Sequence, residues 1–129
     1  MVAAGIANEG VVMNPRLVDT VIGNDLSVIR SYDDTQFGHA TDATIADQIT
    51  ASMVASVSNG AAQGARIDGV DVAGKTGTTE NGNKPYTLWF TGFAPADDPE
   101  VAVAVLVEDG GGQGPVSYTH LRAHETSLH

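Results

Sequence analysis

The stretch that decides the fold is Val72-Ala73-Gly74-Lys75-Thr76-Gly77-Thr78-Thr79-Glu80. The overlapping segment Gly69–Thr76 matches the pattern G-x-x-x-x-G-K-T, the phosphate-binding loop of nucleotide hydrolases. Such a loop needs a helix directly after its lysine and threonine. Glycine, asparagine and proline residues follow instead, and they will not start a stable helix. The stretch therefore predicts a strand, and a nucleotide hydrolase is kept as a remote alternative.

A strand gives these residues a defined chemistry. Thr76 and Thr78 lie two positions apart, so their hydroxyls share one face. Gly77 has no side chain and lets a ligand lie against the backbone, while Lys75 supplies a cation. Hydroxyls beside an ammonium suit a carboxylate, and the N–H of Thr78 is a candidate oxyanion donor. Lys75-Thr76-Gly77 is also similar to the K-T-G signature of penicillin-recognising serine enzymes. That resemblance implies Lys75 and Thr78 as catalytic residues and Thr76, Gly77 and Thr78 as substrate-binding residues.

Three strands are predicted in this half of the chain, over residues 70–78, 86–93 and 101–107. They are rich in β-branched or aromatic residues. The linkers between them are short, which favours an antiparallel meander over crossover connections. The last strand alternates alanine and valine, which predicts burial on both faces or packing against small neighbours.

A helix is predicted over residues 42–58, because apolar residues recur there at every fourth position. Thr41 or Asp42 can cap its beginning, and Asn59 and Gly60 end it. Its apolar stripe is interpreted as core and consists of Ile45, Ile49, Met53 and Val57.

The first third of the chain carries weaker patterns. Residues 1–8 are predicted as the last turns of a helix, and residues 11–13 as a short strand. Residues 16–41 are predicted to be irregular, with one or two short strands, and His39 is interpreted as a solvated residue of a polar loop. Helices followed by a strand meander make the fold α+β.

Composition excludes several kinds of partner and site. The net charge is −10 and the chain has only six lysines and arginines, so nucleic acid is not an expected partner. Without cysteine there are no disulfides or thiolate metal ligands. No metal site and no targeting or membrane-spanning segment is predicted within these residues.

Four segments together resemble monofunctional (class B) penicillin-binding proteins, in both order and spacing. They are Ala3–Pro15, Val72–Glu80, Trp89–Pro95 and Val101–Glu108. The second contains K-T-G, a known signature of penicillin-recognising serine enzymes. The resemblance covers residues 1–114, and the acidic, alanine- and valine-rich character is most similar to actinobacterial members. It implies the C-terminal part of a transpeptidase domain with the β-lactamase/transpeptidase-like fold.

The resemblance also implies a reaction. A serine attacks the D-Ala-D-Ala carbonyl of a peptidoglycan stem peptide, and the acyl-enzyme passes the peptide to an amine of a neighbouring strand. β-Lactams acylate the same serine, and no cofactor is implied. The parent protein is expected at the extracytoplasmic face of the cell membrane, with its anchor in an N-terminal part. A β-lactamase or a penicillin sensor of the same fold is the alternative.

The sequence departs from the family pattern in lacking the S-x-x-K and S-x-N motifs. Its only lysines are Lys75 and Lys84, and neither has a serine three positions earlier. Both motifs are expected upstream of Met1, with S-x-x-K about two hundred residues before the K-T-G strand. The chain alone is therefore predicted to be inactive. The family's first strand, expected beside residues 101–107, is also missing, which predicts an apolar edge there.

The last residues, 115–129, are predicted to be a non-native tail. Residues 116–126 resemble the translation of a transposase sequencing adapter, and the similarity to the family stops at residue 114. A histidine-rich metal tail built on His120, His124 and His129 is the competing interpretation.

Overall fold

A computed structural model of the chain describes residues 1–82 and 84–110. The predicted tail, its adapter resemblance and its metal-binding alternative fall on residues outside this described part. The described elements are α1 (Val2–Ala7), β1 (Val11–Met13), β2 (Thr20–Ile22), β3 (Val28–Ser31), β4 (Gln36–His39), α2 (Ala43–Ser58), a short 3-10 helix (Gln63–Ala65), β5 (Ala73–Asn81), β6 (Lys84–Ala94) and β7 (Val101–Val107).

The predicted meander is present as an antiparallel sheet with the strand order β5-β6-β7, called here the central sheet. Its first strand begins at Ala73, and the prediction that it begins at residue 70 is wrong. Gly69 has a φ of 79°, and the N–H of Val70 donates to the carbonyl of Ile67 at 3.2 Å. This turn uses the backbone that would otherwise extend the strand toward its N-terminus.

Two small apolar clusters pack on opposite faces of the central sheet. One joins Val57 of α2 to Val72 and Phe90, and the other joins Met53 of α2 to Ala73 and Phe93. Phe90 and Phe93 lie three positions apart in β6 and therefore point to opposite faces. Helix α2 therefore flanks the beginning of β5 and contributes side chains to both faces.

Helix α2 begins as predicted, because the Asp42 side chain accepts a hydrogen bond from the N–H of Ile45 at 2.9 Å. Its apolar stripe is core only in its second half. Met53 and Val57 are buried, whereas Ile45 is 45 % exposed. The interpretation of the whole stripe as core is wrong for Ile45, since no described element covers that end of α2.

Strand β7 is also less buried than its sequence predicts. Most of its residues are exposed, including Val101, Val103 and Leu106. Within the described residues its only strand partner is β6, so it forms an edge of the central sheet. Burial on both faces is therefore contradicted, while the predicted apolar edge is present.

Residues 14–41 contain three strands, more than the one or two predicted. Strands β2 and β3 pair with each other, and β4 pairs with β1. The unpredicted strand β4 has little apolar character and is held by pairing with β1. His39 is exposed as predicted, but it lies in β4 and not in a loop.

Candidate active site

The beginning of β5 is fixed by close packing. A Cβ on Gly74 would lie 2.7 Å from Phe90 Cε2 and 3.0 Å from Val57 Cγ2. Only glycine lets the strand lie this close to Phe90 of β6 and Val57 of α2. The fully buried Ala73 precedes it. The residues that follow therefore leave a well-packed anchor and run along an edge of the central sheet.

Lys75 is the first exposed residue after this anchor. Its Nζ donates a hydrogen bond to the carbonyl of Thr76 at 2.6 Å. Its register partner on β6 is Thr91, whose hydroxyl donates to the carbonyl of Val103 of β7 at 3.1 Å. The ammonium is thus held at the backbone of its own strand and remains accessible to solvent. Lys75 and Thr76 lie within β5, so the helix that a phosphate loop requires is absent, and the nucleotide-hydrolase alternative is wrong.

Lys75 also lines a hollow of about 570 Å³ between the central sheet and the two helices. The remaining residues that line it are Val2, Ala3, Ile6, Ile45, Gln48, Ile49, Ser52, Met53, Ser56 and Thr91. Most of this lining is apolar. Besides Lys75, its polar side chains are those of Gln48, Ser52 and Ser56 on one side of α2 and of Thr91 on β6. The sequence prediction missed Gln48, Ser52 and Ser56, which come near Lys75 only through the packing of α2 on β5.

The two hydroxyls of the predicted site share a face, as strand geometry requires. Thr76 is half-buried and Thr78 is exposed, and their register partners are Phe90 and Leu88. Lys75 and Gly77 belong to the opposite face by alternation. Within the described part of the chain, neither threonine hydroxyl is held by another side chain. The structure therefore brings the predicted residues together along one exposed edge, with the ammonium and the hydroxyls on different faces.

Gly77 is not required by the packing of the fold. A Cβ placed there would meet Trp89 Cβ at 3.4 Å, which is ordinary van der Waals contact. Gly77 is exposed, and Trp89, its register partner, is 44 % exposed. Trp89 is a second residue of this edge that the sequence prediction did not assign. Correct registration of the hairpin between β5 and β6 would have found it.

The described residues hold neither a cluster of metal-ligating side chains nor a helix fit to cross a membrane. No group of three histidine, aspartate or glutamate side chains comes together there as metal ligands would. No helix in the same residues combines the length and apolar character needed to cross a bilayer.

The sequence-family model for the penicillin-binding protein transpeptidase domain matches residues 1–125 of this chain. The chain belongs to this family. The family predicted from the four sequence segments is thereby confirmed.

Relatives of this transpeptidase-family chain support the assignment. The peptidoglycan D,D-transpeptidase PbpA of Mycolicibacterium smegmatis is 47 % identical over 114 residues, which cover 85 % of this chain and 23 % of that protein. PbpA of Mycobacterium tuberculosis is 42 % identical over 113 residues, with coverages of 84 % and 23 %. The predicted likeness to actinobacterial members is confirmed. The chain spans less than a quarter of the length of these relatives.

Solved structures of the family confirm the predicted α+β transpeptidase fold. The D,D-transpeptidase domain of a peptidoglycan glycosyltransferase from Eggerthella lenta superposes with a TM-score of 0.87 at 40 % identity, covering 99 % of this chain and 30 % of that one. Penicillin-binding protein A of M. tuberculosis, in its imipenem acyl-enzyme complex, gives a TM-score of 0.84 at 39 % identity, with coverages of 99 % and 29 %.

Proposed function

We propose that this chain forms the K-T-G wall of a serine D,D-transpeptidase that binds penicillin and cross-links peptidoglycan stem peptides. The observation that carries the proposal is the edge strand β5, which presents Lys75, Gly77 and the hydroxyls of Thr76 and Thr78 to solvent in a chain of this family. The names of the relatives favour a transpeptidase over the alternatives of a β-lactamase or a penicillin sensor.

Each residue of the wall has a proposed role. The hydroxyls of Thr76 and Thr78 bind the terminal carboxylate of D-Ala-D-Ala, or the corresponding carboxylate of a β-lactam. The N–H of Thr78 donates to the oxyanion, and Lys75 provides the positive charge. Gly77 keeps the wall flat, which agrees with the room that the fold leaves there.

The proposed reaction has two steps. A serine oxygen bonds to the penultimate D-Ala carbonyl carbon, the peptide C–N bond breaks, and the last D-Ala leaves with a proton on its nitrogen. An amine of a second stem peptide then attacks the ester carbon and releases the serine with its proton. The nucleophilic serine belongs to a segment outside these 129 residues, because no S-x-x-K occurs in them. No cofactor takes part.

The hollow beside Lys75 supports an active site whose serine is supplied by a separate segment of the protein. It is open and mostly apolar, and Ile45 on its wall is 45 % exposed. An uncovered apolar wall next to a functional lysine fits a second piece of protein packing there. We propose that the segment bearing the serine occupies this place.

A transpeptidase that acts on peptidoglycan works outside the cytoplasm. The proposed function therefore includes a location at the extracytoplasmic face of the cell membrane, with an N-terminal anchor.

The first experiment treats the purified chain with a fluorescent penicillin. We expect no covalent adduct after denaturing electrophoresis, because the chain lacks the nucleophile. A specific adduct that excess unlabelled penicillin prevents would refute the assignment of the serine to another segment.

The second experiment places residues 1–114 into M. smegmatis PbpA in exchange for the matching segment. We expect the folded chimaera to be labelled by fluorescent penicillin. Thr78→Val keeps the shape of the side chain but removes the hydroxyl, and it should slow labelling by about ten- to a hundred-fold, the effect of losing a hydrogen bond to a charged group. Thr79→Val, on the opposite face of β5, is the matched control and should change labelling less than about two-fold.

A chimaera that shows a cooperative thermal transition but takes no label would contradict the proposal. Equal loss of labelling in the two threonine variants would instead reject the role of Thr78.

A further inference from the structure

The hairpin of β2 and β3, residues 19–32, stands apart from the rest of the molecule and is called here the projecting hairpin. Its two strands pair with each other and make at most marginal contact with any other described helix or strand. All seven residues of the two strands are exposed. Neither face of the hairpin is therefore covered by described residues.

The uncovered surface is strongly apolar. Its large exposed side chains are Val21, Ile22, Leu26, Val28, Ile29 and Tyr32. An isolated two-stranded hairpin is only marginally stable in water, and exposed contiguous apolar surface commonly marks an interaction site. The exposed apolar side chains of the hairpin therefore suit a surface that a binding partner covers.

Leu26 at the tip of the projecting hairpin gives the surface an anchor. Its φ is 64°, in the left-handed region that favours glycine. The N–H of Leu26 donates to the carbonyl of Gly23 at 3.0 Å, and the N–H of Gly23 donates to the carbonyl of Ser27 at 2.8 Å. Glycine is the residue this turn prefers at that position. Leucine occupies it at a cost in backbone free energy and presents a side chain that is 78 % exposed.

The base of the projecting hairpin is clamped. The guanidinium of Arg16 forms ion pairs with Asp19 at 2.8 Å and Asp34 at 3.0 Å, and it also donates to the carbonyl of Tyr32. These three acceptors flank the two ends of the hairpin. The clamp holds the apolar surface in one orientation before any partner arrives, which lowers the entropy cost of binding.

Charge selects among the possible occupants. Residues 16–34 contain two arginines and four aspartates, and the whole chain has a net charge of −10. The clamp pairs Arg16 with both Asp19 and Asp34, and Arg30 stacks over the Tyr32 ring at 4.5 Å, so two arginines against four aspartates leave this region with a net charge of −2. A second copy of the chain would bring like charges together, and an anionic membrane would be repelled. A basic polypeptide is attracted.

The free edges of the two strands are not equivalent. The register passes from Val21 opposite Arg30 to Ile22 opposite Val28, so Ile29 is an extra residue in β3. A bulge of this kind disrupts the ladder of its own strand. The regular edge is therefore that of β2.

We propose that the projecting hairpin docks an extended basic segment of another protein, which adds a strand to the edge of β2 and packs its apolar side chains on Leu26 and Ile22. Such strand addition draws affinity from main-chain hydrogen bonds and specificity from alternate side chains. The proposal rests on the hairpin alone and not on the transpeptidase assignment.

The test uses the whole chain and a synthetic peptide of alternating valine and lysine, with a peptide of alternating valine and glutamate as its control. We expect the lysine peptide to bind, to shift the backbone amide resonances of residues 19–32, and to bind more weakly as salt is raised. The glutamate peptide is expected to produce no shifts.

Variants sharpen the test. Leu26→Gly relieves the turn and removes the anchor, so it should weaken peptide binding about ten-fold, the effect of losing one good apolar contact, while the hairpin amides exchange no faster than before. Leu17→Gly removes a leucine outside the hairpin that is even more exposed than Leu26, and it should leave binding unchanged. Asp25→Asn keeps an acceptor for Ser27 but removes a charge, and it should weaken binding by a smaller factor.

Four results would each overturn the proposal. They are equal binding of the two peptides, amide shifts confined to β7, self-association of the chain that shifts the hairpin amides without peptide, and binding of phosphatidylcholine vesicles through Leu26.

Discussion

The central sheet and the projecting hairpin are both antiparallel, yet they are stabilised in different ways. In the sheet, α2 and α1 bring Met53 and Ala3 against Ala73 and Phe93, and these side chains are buried. In the hairpin every strand residue is exposed, and one arginine holds the base. The pairing of strands alone does not create a core, because the apolar faces must also be covered.

A large apolar side chain has a different effect in each of the two regions. Phe93 and Leu26 are both large and apolar, but the first is 2 % exposed and the second 78 %. Burial removes Phe93 from water and stabilises the fold. Exposure of Leu26 contributes nothing to the stability of the isolated chain and leaves its side chain available to a partner.

The largest effect is expected from Phe93→Ala. The substitution should lower the free energy of unfolding by about 3–5 kcal/mol, because it removes a buried ring and leaves a cavity between α2 and the sheet. Phe37→Ala, at a phenylalanine that is 72 % exposed in β4, should change it by less than about 0.5 kcal/mol. Urea denaturation of the two variants measures the contrast, and equal losses would show that β4 is packed as tightly as the central sheet.

A second pair of variants compares a tightly packed glycine of the central sheet with an open glycine of β4. Gly74→Ala should destabilise the chain by about 1–3 kcal/mol, since its methyl group would clash with Phe90 and Val57. Gly38→Ala in β4 meets no atom within 4 Å and should be neutral or stabilising by up to about 1 kcal/mol. Thermal melting of both proteins gives the difference, and a stable Gly74→Ala variant would mean that the contact at β5 relaxes freely.

A third variant loosens the projecting hairpin without touching the core. Arg16→Ala removes a guanidinium that contacts Asp19, Asp34 and the carbonyl of Tyr32. Because exposed ion pairs contribute about 1 kcal/mol or less, the melting temperature should hardly change. Amide hydrogen exchange should accelerate in residues 19–32. Arg66→Ala, whose Nε donates to the carbonyl of Val57, is the control and should leave exchange in the hairpin unaltered.

The smallest effect concerns the turn of the hairpin. Hydrogen bonds from the Ser27 hydroxyl at 2.7 Å and the Ser27 N–H at 3.1 Å lower the pKa of Asp25 below its ordinary value of 3.8. Since the folded pKa is the lower one, this contribution to stability is present above pH 3.8 and disappears as the pH falls through the folded pKa. An NMR titration of the Asp25 carboxyl measures it, and Ser27→Ala should bring the pKa back toward its ordinary value.

Much of the fold followed from local sequence patterns. The repeat of apolar residues and the cap at Asp42 predicted α2 almost to the residue, because both signals act within the helix itself. The residues after Lys75 predicted a strand in place of a phosphate loop, and β5 is that strand. The site residues Lys75 to Thr78 were predicted from the K-T-G signature together with strand alternation, and their functional roles stay predictions.

What the sequence did not predict depends on distant partners. Strand β4 has few apolar residues and exists through its pairing with β1. The exposure of Ile45 and of β7 depends on which faces are covered, and alternating alanine and valine look the same in either case. The neighbours that α2 and β6 bring to Lys75 and Gly77 depend on packing and register.

The uncovered edge at β7 has a consequence for how the chain behaves in concentrated solution. Residues 101–107 include no charged side chain and no proline, the features that usually discourage one molecule from adhering to another. The net charge of −10 keeps copies apart at long range. Added salt screens that repulsion but does not change the apolar edge strand β7. The colloidal stability of the chain is therefore set by ionic strength, and solubility should fall as salt rises.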